Sequence, residues 1–102
     1  MPYKYARKRD ANHNELCDAF RLLGCSVFET DRVGEGFPDI VVGVLGKNAL
    51  VELKNPKSWY GKIGLNHAQG KFAAAWRGDR VRVVSTQDDV VALVAELRGL
   101  SD

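Results

Sequence analysis

The sequence is poor in the residues that staple small folds. It has two cysteines, Cys17 and Cys25. They are too few and too widely spaced for a zinc set, and one pair does not make a disulfide framework. Neither His13 nor His67 has ligand-type spacing to them. His13 reads as a surface residue at a helix start, His67 as a first-turn residue of a later helix, and the cysteines as semi-buried thiols. No apolar run is long enough to cross a bilayer, so no membrane partner is expected. The start, Met1-Pro2-Tyr3-Lys4-Tyr5, lacks the apolar core of a signal peptide, and the expected setting is cytoplasmic. Repeats, linkers and low-complexity tracts are also missing. With 102 residues the chain suits one domain. A chain of that size buries roughly 60–70% of its unfolded surface, enough for a modest core.

An excess of one charge is missing too. The net charge is only +2, which does not by itself declare a nucleic-acid binder. The distribution says more. Residues 1–10 read as a basic arm in which Lys4, Arg7, Lys8 and Arg9 interleave with Tyr3 and Tyr5. A second basic stretch holds Lys54, Lys57, Lys62, Lys71, Arg77, Arg80 and Arg82 against a single acid, Asp79. Acids gather in residues 10–52 and in the last predicted helix. That segregation suits a molecule with one phosphate-facing side, although a solvated basic face has the same appearance.

What the sequence does have is an interrupted hairpin. Gly36-Phe37-Pro38-Asp39-Ile40-Val41-Val42-Gly43-Val44 and Ala49-Leu50-Val51-Glu52-Leu53-Lys54 are aliphatic runs around a Gly46-Lys47-Asn48 turn signal. Alternation puts Leu50, Glu52 and Lys54 on one face and Val51 and Leu53 on the other. A turn near residues 45 to 47 brings Asp39 within a residue or two of Glu52 and Lys54. Two carboxylates about 4 Å apart repel by roughly 4 kcal/mol at an effective dielectric near 20. A divalent cation removes that penalty, and hard oxygen ligands on a short rigid element suit Mg²⁺ or Mn²⁺. Lys54 would then hold or deprotonate an attacking water. This is equipment for metal-assisted phosphodiester hydrolysis. The plain alternative is an exposed hairpin with Glu52 and Lys54 as a surface ion pair.

The remaining elements follow from period and punctuation. A first helix is expected from about Ala11 to Leu23, capped by Asn12 or Asn14 and ended by Gly24, with Leu16, Ala19, Phe20 and Leu23 inward. Cys25 to Thr30 reads as a strand and residues 31–36 as a loop, in which Gly36 is a turn residue or a place of close approach to a DNA backbone. After Lys54, the stretch 55–65 combines Lys57, Lys62, Trp59 and Tyr60 with two glycines. It suits a DNA-contacting flap in which lysines hold phosphates and an aromatic stacks on a base. Trp59 equally suits pinning the loop to a core. Asn66 caps a second helix to about Arg77, with Gln69, Phe72, Ala73 and Trp76 on its stripe. A glutamine on such a stripe requires partners, which the metal site or Lys54 would supply. Arg80 to Val84 is a strand. Thr86 to Asp89 resembles a capping box for a last helix whose inner stripe is Val90, Val94 and Leu97, widened by Val91, Leu93 and Ala95. The fold class is thus α/β, a small mixed β-sheet flanked by helices, in the order α-β-β-β-α-β-α, with residues 11–102 as one domain.

Pro38-Asp39 followed by Glu52-Leu53-Lys54 resembles the signature of the PD-(D/E)XK nuclease superfamily. With Leu65-Asn66-His67-Ala68-Gln69 added, the chain is similar to the stand-alone virus-type replication–repair nuclease domain from about Asn12 to Leu97. The resemblance implies a restriction-endonuclease-like core and a Mg²⁺-dependent DNA endonuclease of phage or bacterial replication, repair or recombination. It implies metal ligands at Asp39, Glu52 and the Leu53 carbonyl, with Glu15 approaching the metal through water. It also implies a catalytic role for Lys54 and Gln69, with Mn²⁺ substituting for Mg²⁺, and in-line attack leaving 5′-phosphate and 3′-hydroxyl ends. A homodimer acting on branched DNA, such as four-way junctions, is implied as well, with no small-molecule cofactor. The superfamily's Gln-x-x-x-Tyr pattern is incomplete, because Ala73 holds the fourth position after Gln69. That puts a tyrosine–phosphate contact from this helix in doubt. A non-catalytic DNA-binding module on the same fold and a sequence-specific restriction-like endonuclease are the competing expectations.

Overall fold

The computed structural model describes residues 11–57 and 65–100. Among the described residues seven elements appear, in the expected order: α1 (His13–Leu22), β1 (Ser26–Glu29), β2 (Ile40–Val44), β3 (Lys47–Leu53), α2 (His67–Ala75), β4 (Arg82–Val84) and α3 (Gln87–Leu97). The strands form one mixed sheet in the order β1-β2-β3-β4. The first three are antiparallel neighbours, and β4 joins β3 in parallel. The basic arm and residues 58–64, including Trp59, Tyr60 and Lys62, lie outside the described residues.

The alternation of apolar residues explains which face is the core. Ile40, Val42 and Val44 on β2, and Ala49, Val51 and Leu53 on β3, are buried with Val84 of β4. They meet Leu16, Cys17 and Phe20 from α1 and Val90, Leu93, Val94 and Leu97 from α3. Burying each larger aliphatic or aromatic side chain contributes about 1.5–3 kcal/mol. The α3 stripe is Val90, Val94 and Leu97, as expected, widened by Leu93; Val91, expected to widen it too, is exposed. The capping box at its start is present: Asp89 N–H donates to Thr86 Oγ1, and Thr86 N–H donates to the Asp89 carboxylate.

The hairpin turn falls one residue earlier than its signal. Val44 pairs with Lys47, so Leu45 and Gly46 alone make the turn, both at positive φ (50° and 77°). A two-residue turn of that kind matches the strand twist. Lys47 and Asn48 therefore begin β3.

Two expectations at the helix starts change. Asn12 precedes α1, but its side chain makes no capping bond. Its Nδ2 donates instead to the carbonyls of Lys54 (3.1 Å) and Ser85 (3.0 Å), joining the ends of β3 and β4. His13 is no surface residue, being only 3% exposed, because its ring turns inward to Glu29 of β1 at 3.1 Å. Glu29 pairs with the core-facing Ile40, which aims it at α1. The two cysteines are fully buried, and burial raises the Cys25 thiol pKa against the opposing pull of Arg98.

Candidate active site

Asp39 is placed by the loop before β2. Thr30 clamps both sides of the Pro38–Asp39 peptide: its hydroxyl donates to Pro38 O, and its N–H donates to Asp39 O, each at 2.8 Å. Ile40 pairs with Val51, so one further step of register sets Asp39 opposite Glu52. The Asp39 carboxylate accepts from the Leu53 N–H at 2.8 Å. Asp39, Glu52 and Lys54 are brought together at one end of the hairpin.

At that end the alternation of β3 stops separating core from solvent. Glu52 is 1% exposed and Lys54 is 7% exposed, on the face opposite Val51 and Leu53. The cover is α2, and the contact is Gln69. Its Nε2 donates to Glu52 Oε1 (3.1 Å), and its Oε1 accepts from Lys54 Nζ (2.8 Å). The same oxygen accepts from the Asn66 N–H (3.0 Å), and Asn66 Oδ1 accepts from the Gln69 N–H (2.9 Å). Gln69 is thus the third residue of a capping box, and the helix start itself aims the amide at the strand. A buried amide needs such partners, since losing one leaves a desolvated polar group costing about 1–3 kcal/mol.

α2 stops at Ala75, with Trp76 as its extended C-cap, short of the expected Arg77. The aromatic side of the helix does not enter the main core. Phe72 stacks on the partly exposed Trp76 (5.2 Å) and meets Phe37 edge-on (5.3 Å). Phe37 belongs to the same loop as Asp39, so this cluster ties the loop to the helix. Gly36 makes the tightest contact. A Cβ built there would lie 2.1 Å from the Ala68 carbonyl oxygen, and its φ is +80°. The close approach that Gly36 permits in this structure is to α2.

The other expected site residues are placed differently. Glu15 is exposed on α1, and its carboxylate accepts from Gln87 Nε2 at 2.7 Å. It lines a hollow of about 340 Å³ together with Asn12, Asn55, Lys57 and Thr86. Lys57 and Lys71 are exposed. Lys57 follows an Asn55 turn in which Asn55 Oδ1 accepts the Lys57 N–H. Two residues that hold the cluster escaped the sequence reading. Thr30 looked like a strand end. Asn12 looked like a cap, and no local signal marks its partners 42 and 73 positions away.

The fold and cluster define a small α/β domain with two carboxylates, an ammonium group and a bridging amide at one end of a hairpin. No family model matches the chain, and no solved structure matches it. A 3-dehydroquinate dehydratase from Bacillus licheniformis is 37% identical over 68 residues, which cover 67% of this chain and 24% of that enzyme. The matched part is about a quarter of the relative's length.

Proposed function

We propose that this domain is a Mg²⁺-dependent DNA endonuclease of the PD-(D/E)XK type, acting on branched DNA. The observation that carries the reading is the buried Glu52–Gln69–Lys54 bridge facing Asp39. Burying charge costs several kcal/mol per ion after relaxation, and hydrophobic residues of similar volume often serve stability as well or better. A fold keeps such a cluster for chemistry more readily than for stability.

The donor set fits a hard divalent cation. Asp39 and Glu52 offer carboxylate oxygens from opposed positions of paired strands, and the Leu53 carbonyl belongs to the residue between Glu52 and Lys54. These are oxygen ligands of the kind Mg²⁺ selects. When bound, the cation supplies Lewis-acid polarisation of a phosphate and makes water easier to deprotonate. The protein's own groups do the rest. Gln69 Oε1 accepts a hydrogen bond from Lys54 Nζ and so fixes it. The group is thereby preorganised to donate to an attacking water as the ammonium or, once it has lost a proton to solvent, to take the water's proton as the neutral amine. Gln69 also holds one oxygen of Glu52, which sets that carboxylate's rotation. Asp39 is kept in place by the Leu53 amide. Glu15, whose carboxylate accepts from Gln87 here, would serve as a ligand through water. Lys57 and Lys71 meet phosphates, with Lys62, Trp59, Tyr60, Arg7, Lys8 and Arg9 as further DNA contacts. A homodimer would set two such sites on one branched substrate.

The test is cleavage of a four-way junction, a matching linear duplex and a supercoiled plasmid in Mg²⁺ or Mn²⁺, by wild type, Asp39→Asn and Gln69→Ala. Metal-dependent cutting of the junction, abolished in the first variant and reduced about 10–100-fold in the second, is expected. Equal cutting of all substrates retains the chemistry and removes the junction preference. Tight DNA binding without cutting in either metal favours the binding module. The similarity to a dehydratase adds one arm: turnover of 3-dehydroquinate by the same preparation, lost in Lys54→Met, would replace the nuclease reading.

A further inference from the structure

A second cluster lies on the other face of the sheet and takes no part in the proposed chemistry. Against the expectation from sequence, His13 and Cys17 do have a ligand spacing: they stand four residues apart on α1, one turn, and project from the same side of the helix. Glu29 of β1 faces them because it pairs with the core-facing Ile40. One ligand atom from each of the three residues can be chosen so that all lie within 4.8 Å of one another.

We propose that His13, Cys17 and Glu29 form a binding site for a borderline-soft divalent cation of the Zn²⁺ class, separate from the carboxylate cluster around Asp39. The donor chemistry selects the ion. An imidazole, a thiolate and one carboxylate oxygen suit zinc and its neighbours, whereas Mg²⁺ prefers oxygen alone. The distances suit it as well. Zn–N and Zn–O bonds of about 2.0–2.1 Å in a tetrahedron hold those two donors about 3.3 Å apart. His13 Nε2 and Glu29 Oε1 stand at 3.1 Å already. The longer Zn–S bond, about 2.3 Å, tolerates a wider sulfur separation, and small side-chain rotations close the rest.

The surroundings are built for holding rather than passing an ion. His13 and Cys17 are 3% and 1% exposed, so their rotamers are set by packing. The Glu29 side chain is 31% exposed and provides the way in. Its second oxygen lies 3.4 Å from Arg21 Nη2, which orients the carboxylate to bind through one oxygen. Three protein ligands leave a fourth tetrahedral position for water. Without a cation the same geometry is a part-buried His13–Glu29 hydrogen bond, so the two side chains keep a partner when the site is empty. The bound ion would tie α1 to the edge strand β1.

The test uses the purified, metal-stripped full chain and Co²⁺ as a spectroscopic stand-in for Zn²⁺. One equivalent of Co²⁺ is expected to give a thiolate-to-metal absorption band that Zn²⁺ displaces and Mg²⁺ does not. The band should persist in Cys25→Ser, vanish in Cys17→Ser, and need about tenfold more Co²⁺ or higher in Glu29→Gln. The last variant is at a partly exposed position and keeps the proposal testable if Cys17→Ser fails to fold. Absence of the band in folded wild type, its survival in Cys17→Ser, or unchanged Co²⁺ affinity in Glu29→Gln would overturn the site. None of these outcomes depends on DNA cleavage, so the site and the nuclease reading stand or fall apart.

Discussion

Strand β3 has polar residues at both ends, and the fold treats them in opposite ways. At the turn, Lys47 and Asn48 are exposed beside Leu45 and Gly46. At the other end, Glu52 and Lys54 are 1% and 7% exposed under α2. The residue types are alike, and the surroundings differ. Lysine in water is free of desolvation cost, whereas a buried ammonium group requires partners with good geometry. Gln69 supplies that geometry for Lys54 and Glu52 together. Among the described residues the buried Asp, Glu and Lys side chains are Asp31, in the loop that leads to Asp39, and Glu52 and Lys54, at the end of β3 where the proposed chemistry lies.

The comparison can be broken most severely through the loop that seats α2 on the buried end. Gly36→Ala forces a Cβ against the Ala68 carbonyl and strains a positive φ. A loss of about 2–4 kcal/mol is expected from urea unfolding. Gly34→Ala makes the control: its φ is +87°, but nothing lies within 4 Å of an added Cβ, so about 1 kcal/mol is expected. Equal losses would mean that the contact with α2 adds nothing.

A smaller and more pointed effect comes from the two lysines. Lys54→Met takes from the buried Gln69 Oε1 one of its two donors, at about 1–3 kcal/mol. Lys47→Met should fall within about 0.5 kcal/mol of wild type, as exposed substitutions do. Cleavage is expected to vanish in the first and persist in the second. Asn12→Ala comes next. It removes both bonds that join the Lys54 and Ser85 carbonyls, and a loss of about 1–2 kcal/mol is expected by denaturant titration.

The smallest effect belongs to an exposed pair. The hydrogen bond from Arg82 holds the Glu96 carboxyl below its usual pKa, with desolvation opposing. A carboxyl with a lowered folded-state pKa adds stability above its unfolded value, and that stability fades as pH falls through the folded value. Urea midpoints followed from neutral pH into the acid range should show a slope that Glu96→Gln reduces. Glu96 is an exposed group, so the change should be the least of the four.

Much of this arrangement was legible in the residues, and the exceptions have physical causes. The element order followed from alternation in the strands and from caps at Asn66 and Thr86, which act within three residues. The meeting of Asp39, Glu52 and Lys54 followed from hairpin register, because antiparallel pairing converts sequence distance into position. The need of Gln69 for partners followed from its place on an apolar stripe. What could not be read was tertiary. Asn12 and His13 look like a cap and a surface residue, since their partners, Lys54, Ser85 and Glu29, come from other elements. Gly36 reads as an ordinary turn glycine until α2 is set against it. Leu45 takes a positive φ that its residue type does not signal, because strand pairing chose the two-residue turn within the expected 45 to 47.

On the proposed function, the buried end of β3 is kept for chemistry rather than for stability. The most direct test is the triple variant Glu52→Leu/Lys54→Met/Gln69→Met, with unfolding free energy and Mg²⁺-dependent DNA cleavage measured on the same preparation. The variant removes both buried charges and the amide that bridges them, leaving Asp39 on the Leu53 N–H. Stability within about 1–2 kcal/mol of wild type is therefore expected despite the lost Asn66–Gln69 capping bond, together with complete loss of cleavage. A fold weakened by several kcal/mol, or cleavage that survives the replacement, would contradict the account.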